Sequence, residues 1–172
     1  MPDWIVLRRI LLAIVVLIAP AAHGQDVKVG QRAPDFTLSI LDGDSAHLAQ
    51  FRGHPVVLKF WASWCPTCRT EMPELAAAQA AHGDVGLEVL ASNGEETPDK
   101  MRKYLARLAI GAGLIVLVDP KAHVSQRYRV LVLPTTVFID SAGVVQVIHP
   151  GAISPTEFAD GIRAILPIHN QE

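Results

Sequence analysis

Two cysteines separated by two residues are the side chains of this chain best suited to chemistry. Cys65 and Cys68 are its only cysteines, so a disulfide within the chain can join only these two. They follow an apolar run of strand length, Val56–Trp61, and open a helical pattern. At a helix N-terminus, unpaired backbone N–H groups and the helix dipole favour a thiolate, the form that attacks disulfides. The pattern predicts thiol–disulfide exchange in which Cys65 attacks and the more buried Cys68 resolves the mixed disulfide.

The residues around the two cysteines fit this chemistry. Pro66 suits the first helical turn, where its missing N–H needs no partner. Pro66 and Thr67 place no cation between the cysteines to overstabilise the thiolate, which favours a reducing pair over an oxidising one. Trp64 is a candidate for shielding the sulfur of Cys65 and for contacting a substrate, whereas Trp61 is expected in the core.

The elements that must position the cysteines alternate between strand and helix. A turn at 42–45 predicts a small hairpin after the extended segment 33–38. Further strands are predicted at 56–61, 87–91, 114–118, 135–139 and 144–148, and helices at 65–82, 97–109, 122–129 and 154–166. This order indicates an α/β fold with a mixed central sheet flanked by helices, an N-terminal hairpin and an inserted helix–strand. Reactive groups in such folds lie beyond the carboxyl ends of the strands, where the cysteines fall.

The N-terminus is typical of a secretory signal peptide. Arg8 and Arg9 precede an apolar run over 10–22, which ends at a small-residue site before Gln25. We therefore predict a signal peptide at 1–24 and one catalytic domain at 25–172. The run is shorter than the roughly 20 residues that span a bilayer, but an uncleaved membrane anchor remains an alternative. Export predicts a periplasmic or other extracytoplasmic location, where thiols tend to form disulfides.

Composition and spacing argue against several other classes of protein. The net charge is −2 and no basic stripe is present, so nucleic acid is not an expected partner. Zinc would need two more ligands beside the cysteines, and a haem attachment site would need histidine where Arg69 stands. We therefore expect no metal and no cofactor. A metallochaperone that binds Cu(I) through its dithiol and transfers it to another protein is an alternative function, because thiolates are suitable ligands for that soft ion.

The segment 60–68, FWASWCPTC, resembles the active-site signature of the TlpA/ResA branch of the thioredoxin superfamily. The likeness extends over essentially the whole chain after the signal peptide and implies a thioredoxin-like fold. The Cys-Pro-Thr-Cys sequence is also similar to the CcmG/DsbE reductases of cytochrome c maturation, and Pro73 matches the proline of the family's active-site helix. The segment 133–136, LPTT, resembles the family's cis-proline loop. The resemblance implies that Pro134 stands over the reactive sulfur and that the backbone of Leu133 pairs with substrate as an added strand.

The same resemblance implies partners and a proton-transfer group. Electrons would come from a membrane thiol carrier and pass to protein disulfides, for example in apocytochrome c or in a copper-site protein. ResA-like proteins are expected to carry a functional glutamate in a Gly-Glu step after the next strand, which corresponds here to Gly94 and Glu95. Glu95 is thus the candidate for moving the proton of Cys68. Glu96, the next residue, is the alternative candidate for this proton transfer.

One residue departs from the thioredoxin pattern. Thioredoxins keep a buried carboxylate on the strand just before the Phe-Trp pair, and this chain has Lys59 there. We expect Lys59 to extend its ammonium to solvent at the strand end, with a lowered pKa of a nearby thiol as the alternative effect of its charge. Glu71 and Glu74 are expected to be exposed helix residues.

A peroxidase is the alternative function from another class of enzyme. The segment 29–38, VGQRAPDFTL, resembles the opening of peroxiredoxins. Those enzymes carry a threonine three residues before the peroxidatic cysteine. Here the position three before Cys68 is Cys65, so the likeness does not reach the catalytic residues.

Overall fold

The computed structural model describes residues 27–108, 110 and 113–166. The predicted signal peptide, 1–24, lies outside them. The strands are β1 (Thr37–Ile40), β2 (Ser45–His47), β3 (Val56–Trp61), β4 (Glu88–Gly94), β5 (Ile115–Asp119), β6 (Thr135–Ile139) and β7 (Val145–Pro150). The α-helices are α1 (Pro66–His82), α2 (Pro98–Leu108), α3 (His123–Arg127) and α4 (Pro155–Ile165). Short 3₁₀ helices cover Leu48–Phe51 and Gly83–Val85.

One mixed sheet of seven strands organises these elements, in the order β2-β1-β5-β4-β3-β6-β7. The three central strands, β5, β4 and β3, are parallel, and the other pairings are antiparallel. The predicted hairpin is the β1–β2 pair, and the inserted helix–strand is α2 followed by β5. The predicted α/β fold with a mixed sheet is therefore confirmed.

Strand β3 occupies the inner part of the sheet because five of its six residues are apolar, the exception being Lys59. All six are buried, as expected for a strand covered on both faces. Val57 and Trp61 face the side that carries α1, α2 and α4, whereas Leu58 and Phe60 face the side that carries α3. With β4 and β6 as its neighbours, β3 can move little, and it ends immediately before the cysteine segment.

Strand β4 is longer than the predicted 87–91. Ser92 and Asn93 extend it, because they continue the parallel pairing with the last two residues of β3. Both polar residues are fully buried. Hydrophobic periodicity cannot signal such a continuation, since it is the backbone ladder that holds these residues in the sheet.

Helix α4 closes the chain as predicted, with Ser154 as its N-cap. The Ser154 hydroxyl accepts a hydrogen bond from the backbone N–H of Glu157, and the Glu157 carboxylate accepts one from the backbone N–H of Ser154, which makes a capping box. Among the described residues, no helix has the length and apolar character needed to cross a membrane.

The packing of α4 yields a test of the fold. Gly161 is buried, and a methyl group added there would overlap the ring of Phe138. Helix propensity alone predicts that Gly161→Ala stabilises by about 1 kcal/mol, but overpacking costs about 1–3 kcal/mol. We expect a net loss of stability in urea or thermal unfolding. Gly43→Ala is the control, because its methyl would meet Ile40 at 3.5 Å; a stabilised Gly161→Ala variant would contradict the packing described.

Candidate active site

The turn between β3 and α1 places Cys65 as the N-cap of the helix. Its backbone is extended, with φ −83° and ψ 112°, and its N–H donates to the carbonyl of Ala62 at 3.2 Å. The backbone N–H of Cys68 donates to the Sγ of Cys65 at 3.2 Å, and Pro66 occupies the first turn. A thiolate at this position would receive that N–H and the positive end of the helix dipole. The predicted location of Cys65 is confirmed.

Cys65 and Cys68 are joined as a disulfide, with their Cα atoms 5.3 Å apart. They are 4% and 1% exposed, so Cys68 lies slightly deeper. Trp64, directly before them, is 67% exposed, whereas Trp61 is buried as expected. The pair can therefore gain or lose two electrons at a site that is marked on the surface by an exposed aromatic ring.

The peptide bond between Leu133 and Pro134 is cis, as the resemblance implied. The hydroxyl of Thr135 donates to the carbonyl of Val132 at 2.7 Å, and the N–H of Gly151 donates to the carbonyl of Pro134 at 2.8 Å. Within the described part of the chain, the backbone of Leu133 makes no backbone hydrogen bond. Its N–H and carbonyl are thus available to an extended segment of another chain.

A groove of about 340 Å³ lies against this loop. Three of the predicted site residues line it together: Trp64, Glu95 and Leu133. Leu131, 95% exposed, lines it as well. Exposed apolar side chains around a groove mark a surface for binding another molecule. The fold thus brings residues from three separate parts of the sequence to one groove.

Glu95 and Glu96 have different surroundings. Glu95 is exposed on the groove with a positive φ of 64°, whereas Glu96 is 6% exposed. The carboxylate of Glu96 accepts the backbone N–H of Ser63 at 2.7 Å and the Ser63 hydroxyl at 2.6 Å. It also accepts the side-chain amide of Asn93 at 2.8 Å and pairs with the ammonium of Lys100. Glu96 therefore fixes the turn two residues before Cys65.

A buried ion pair lies on the face of the sheet that carries α1. Lys59 is 1% exposed and Glu71 is 6% exposed, and their side chains are bonded to each other. The Lys59 ammonium also donates to the hydroxyl of Thr136 at 2.7 Å. The expectations that Lys59 reaches solvent and that Glu71 is exposed are wrong, because each supplies the partner that makes burial of the other tolerable. Glu74 is half-buried.

These buried groups are the part of the site that sequence reasoning missed. Lys59 interrupts an apolar strand, and a lone charge in such a run signals a buried partner. Nothing in the local sequence identifies that partner as Glu71. This residue is twelve residues away, and its position in the helix is equally compatible with the solvent-exposed face. Among the described residues, no cluster of histidine, cysteine and carboxylate side chains could hold a metal ion.

The fold and the cysteine geometry define a thioredoxin-fold thiol–disulfide oxidoreductase. A sequence profile of the AhpC/TSA family matches residues 29–148. The thiol-disulfide oxidoreductase ResA of Geobacillus thermodenitrificans is 32% identical over 171 residues, covering 93% of this chain and 97% of the relative. The thioredoxin-like protein YneN of Bacillus subtilis is 37% identical over 133 residues, 76% of each chain.

Comparison with solved structures supports the same assignment. A crystal structure from Chlorobium tepidum, described as a thiol:disulfide interchange protein DsbE, superimposes with a TM-score of 0.76 at 32% identity and covers 83% of this chain and all of its own. The chain belongs to the AhpC/TSA family and, within it, resembles ResA and DsbE. The predicted resemblance and the predicted enzyme class are confirmed.

The Glu96 contacts predict a loss of stability in acid. Burial disfavours its charge, but hydrogen bonds from Lys100, Ser63 and Asn93 outweigh this and lower the pKa of Glu96 from 4.5 to about 2. A carboxyl whose pKa is lowered by folding stabilises the fold above its unfolded pKa, and this contribution disappears as the pH falls toward the folded pKa. We expect Glu96→Gln to lose roughly 1–3 kcal/mol at neutral pH.

The difference from the wild-type chain should narrow between pH 4.5 and about 2. Urea unfolding at several pH values measures it. Glu95→Gln is the matched control, since Glu95 is an exposed neighbour and its substitution should leave the pH dependence of stability unchanged. A pH-independent loss in Glu96→Gln would show that the carboxylate charge is not what fixes the turn.

Proposed function

We propose that this chain is an exported reductase that transfers electrons from the Cys65–Cys68 dithiol to disulfides in other proteins. The observation that carries the proposal is the position of Cys65 as N-cap of α1, beside an exposed Trp64 and a groove of about 340 Å³. The reducing direction is supported by Pro66 and Thr67, which add no cation near the sulfurs. A strongly oxidising pair needs a very stable reduced form, and the two residues between the cysteines add nothing to the stabilisation that the helix terminus gives.

The exchange proceeds in two displacements. The Cys65 thiolate attacks one sulfur of the substrate disulfide, forms a mixed disulfide and releases the other substrate sulfur as a thiolate, which takes up a proton. Cys68 then loses its proton and attacks the Sγ of Cys65, which breaks the mixed disulfide and releases the second substrate thiol. Two electrons pass to the substrate, and the chain is left with the disulfide seen in the structure.

The groove and the cis-proline loop are the proposed substrate-binding surface. An extended substrate segment pairs with the free backbone groups of Leu133 next to Pro134, and its apolar side chains contact Trp64. Pro66 is exposed and Thr67 is half-buried on the same helix end, where both would contact the substrate sulfur region. Glu95 lines the groove, and its role in moving the Cys68 proton remains a proposal.

Export and partners follow from the signal-like N-terminus and from the relatives. Export through residues 1–24 would place the domain in the periplasm or elsewhere outside the cytoplasm, where a reductase needs electrons delivered across the membrane. A membrane thiol carrier is the proposed donor. Disulfides in apocytochrome c or in a copper-site protein are the proposed clients, by resemblance to ResA and to DsbE.

The AhpC/TSA match favours a second candidate, a thiol peroxidase. The position three before Cys68 holds Cys65 instead of threonine, and Cys65 is already the disulfide partner of Cys68. A peroxidase would consume hydrogen peroxide without any protein disulfide, and a reductase would not.

The different roles proposed for the two cysteines predict opposite results for two matched variants, one of which should accumulate a mixed disulfide while the other should not. Cys68→Ser leaves the attacking thiol at the helix terminus but removes the resolving one, so it should accumulate a stable mixed disulfide with a peptide disulfide substrate. Cys65→Ser removes the attacking thiol and should form little or none. Non-reducing mass spectrometry measures both. Trapping mainly by Cys65→Ser would reverse the assigned roles.

The reduction potential decides the direction of electron flow. We expect the Cys65–Cys68 pair to equilibrate with glutathione buffers at about −220 mV or lower, in the range of glutaredoxins and thioredoxin. Alkylation of the free thiols followed by mass spectrometry gives the reduced fraction. A value near −120 mV, typical of a strong oxidant, would make this a disulfide-forming enzyme. Peroxide consumption, measured on the same preparation, tests the alternative function as a thiol peroxidase.

A further inference from the structure

A second groove, of about 380 Å³, begins at the turn that precedes the cysteines. Ser63 lines it, two residues before Cys65, whereas the next residue, Trp64, lines the groove beside the cis-proline loop. The other residues that line the second groove belong to α2 or directly precede it: Thr97, Asp99, Lys100, Lys103, Tyr104 and Arg107. The exchange proposed above involves none of these residues, although they lie next to the active-site turn.

The charges at the near end of this groove are paired. Lys100 pairs with the buried carboxylate of Glu96. Asp99, the acidic residue among those that line the groove, pairs with Arg102, which does not line it. Both contacts satisfy a negative charge as well as a positive one. No carboxylate of the lining residues is therefore left to balance the cations further along α2.

Lys103 and Arg107 supply positive charge that has no counter-charge in the fold. Both are exposed, and neither makes a hydrogen bond or an ion pair with another residue that the structure describes. They are four residues apart on α2, where like charges are neighbours and repel each other. Arg107 is in the last turn of the helix, where the dipole favours a cation, but Lys103 has no such explanation. An anion bound between the two side chains would remove their repulsion.

An aromatic ring supplies the apolar part of the groove. Tyr104 is half-buried and stacks on Trp61, with the ring centroids 5.5 Å apart. Arg69 is exposed near the start of α1, one residue after Cys68, and interacts electrostatically with Tyr104. Positive charge thus extends from α2 to the active-site helix itself. Because the net charge of the whole chain is −2, this concentration of cations is a local feature.

The spacing of the cations fits an extended peptide segment. Lys103 and Arg107 are separated by about 6 Å along the helix axis, at a rise of 1.5 Å per residue. Residues two apart in an extended chain face the same side and are separated by roughly 6.6 Å. Two acidic side chains at alternate positions of such a segment therefore match the two cations. A compact anion would contact only part of this row.

We propose that this second groove, called the cationic groove below, binds an acidic segment of the protein whose disulfide exchanges with Cys65 and Cys68. The inference rests on the proposed function, because it takes a protein disulfide as the substrate, and it adds a chemical property of that substrate. The acidic segment lies along α2, while the residues next to the disulfide pair with Leu133. Complementary charge raises the rate of encounter with acidic partners and lowers it with basic ones.

Two matched peptide substrates test this preference. Each contains one internal disulfide. One carries aspartates and glutamates on either side of the cysteine pair, and the other carries asparagines and glutamines at the same positions. We expect the reduced chain to react with the acidic peptide about tenfold faster at low salt. The difference should disappear near 1 M salt, where the Debye length is roughly 3 Å. Acid quenching and mass spectrometry give the rate constants.

The double variant Lys103→Gln with Arg107→Gln should lose the preference. Its rate constant for the acidic peptide should fall about tenfold, and that for the neutral peptide should stay at the wild-type value. The control, Lys28→Gln with Arg32→Gln, removes the same two charges from exposed positions. Arg32 forms a bridge with Val144, in the turn that joins β6 to β7. This turn is at the opposite end of β6 from the cis-proline, so the control should keep the preference.

A binding measurement separates the groove from the reductase activity. A labelled acidic peptide without cysteines should bind the oxidised wild-type chain more tightly than its neutral counterpart, as measured by fluorescence anisotropy. The Lys103→Gln and Arg107→Gln double variant should weaken this binding about tenfold. If the wild-type chain reduces neither disulfide peptide, the proposed function fails, and the anisotropy alone decides whether the groove binds acidic segments.

Three other outcomes would overturn the proposal while leaving the reductase in place. Equal rates and equal binding for the acidic and neutral peptides would show that the groove does not distinguish them. Equal slowing of both peptides in the double variant would indicate a general effect on the dithiol. If the double variant slowed the reaction with glutathione disulfide as much as that with the acidic peptide, the groove would be a site for small anions instead of a protein segment.

Discussion

The function of the molecule depends on where one helix begins. Helix α1 starts at Pro66, shortly after the buried strand β3 ends at Trp61. The chain must then turn, and Cys65 becomes the N-cap, with its sulfur against the backbone N–H of Cys68. A shift of one residue would remove the sulfur from the helix terminus and from the N–H groups that favour a thiolate.

Buried carboxylates hold the connections around this helix start. Glu96 fixes the turn before Cys65 through both groups of Ser63. Asp119, 1% exposed, accepts the backbone N–H groups that open α3, and so fixes the helix beside the groove. Glu71 binds α1 to the sheet through Lys59. Each carboxylate is fully partnered, which is the condition under which a buried charge is tolerated in a folded domain.

The proposed substrate surface is built differently, from exposed side chains and from backbone groups without a hydrogen-bond partner among the described residues. The backbone of Leu133 is open, Trp64 and Leu131 are exposed, and the groove runs between them. Exposed apolar side chains grouped around a groove are typical of a surface that binds another molecule. The same fold thus combines buried, paired carboxylates around the helix start with an exposed, largely apolar groove beside the cysteines.

The sequence by itself determined the redox pair, the helix that begins at it and the order of strands and helices. These features depend on local spacing: two residues between cysteines, an apolar run and turn residues. The cis-proline loop was expected from the resemblance of its sequence to that of a known family. Only the tertiary structure decided which charged side chains are buried between the active-site helix and the sheet. Considered singly, Lys59 and Glu71 are each expected at the surface. Each is buried because an element distant in the sequence supplies the oppositely charged partner that makes burial tolerable. Likewise only the structure shows that Glu96 is buried and Glu95 exposed, because this difference depends on how the chain leaves β4, which no local pattern encodes.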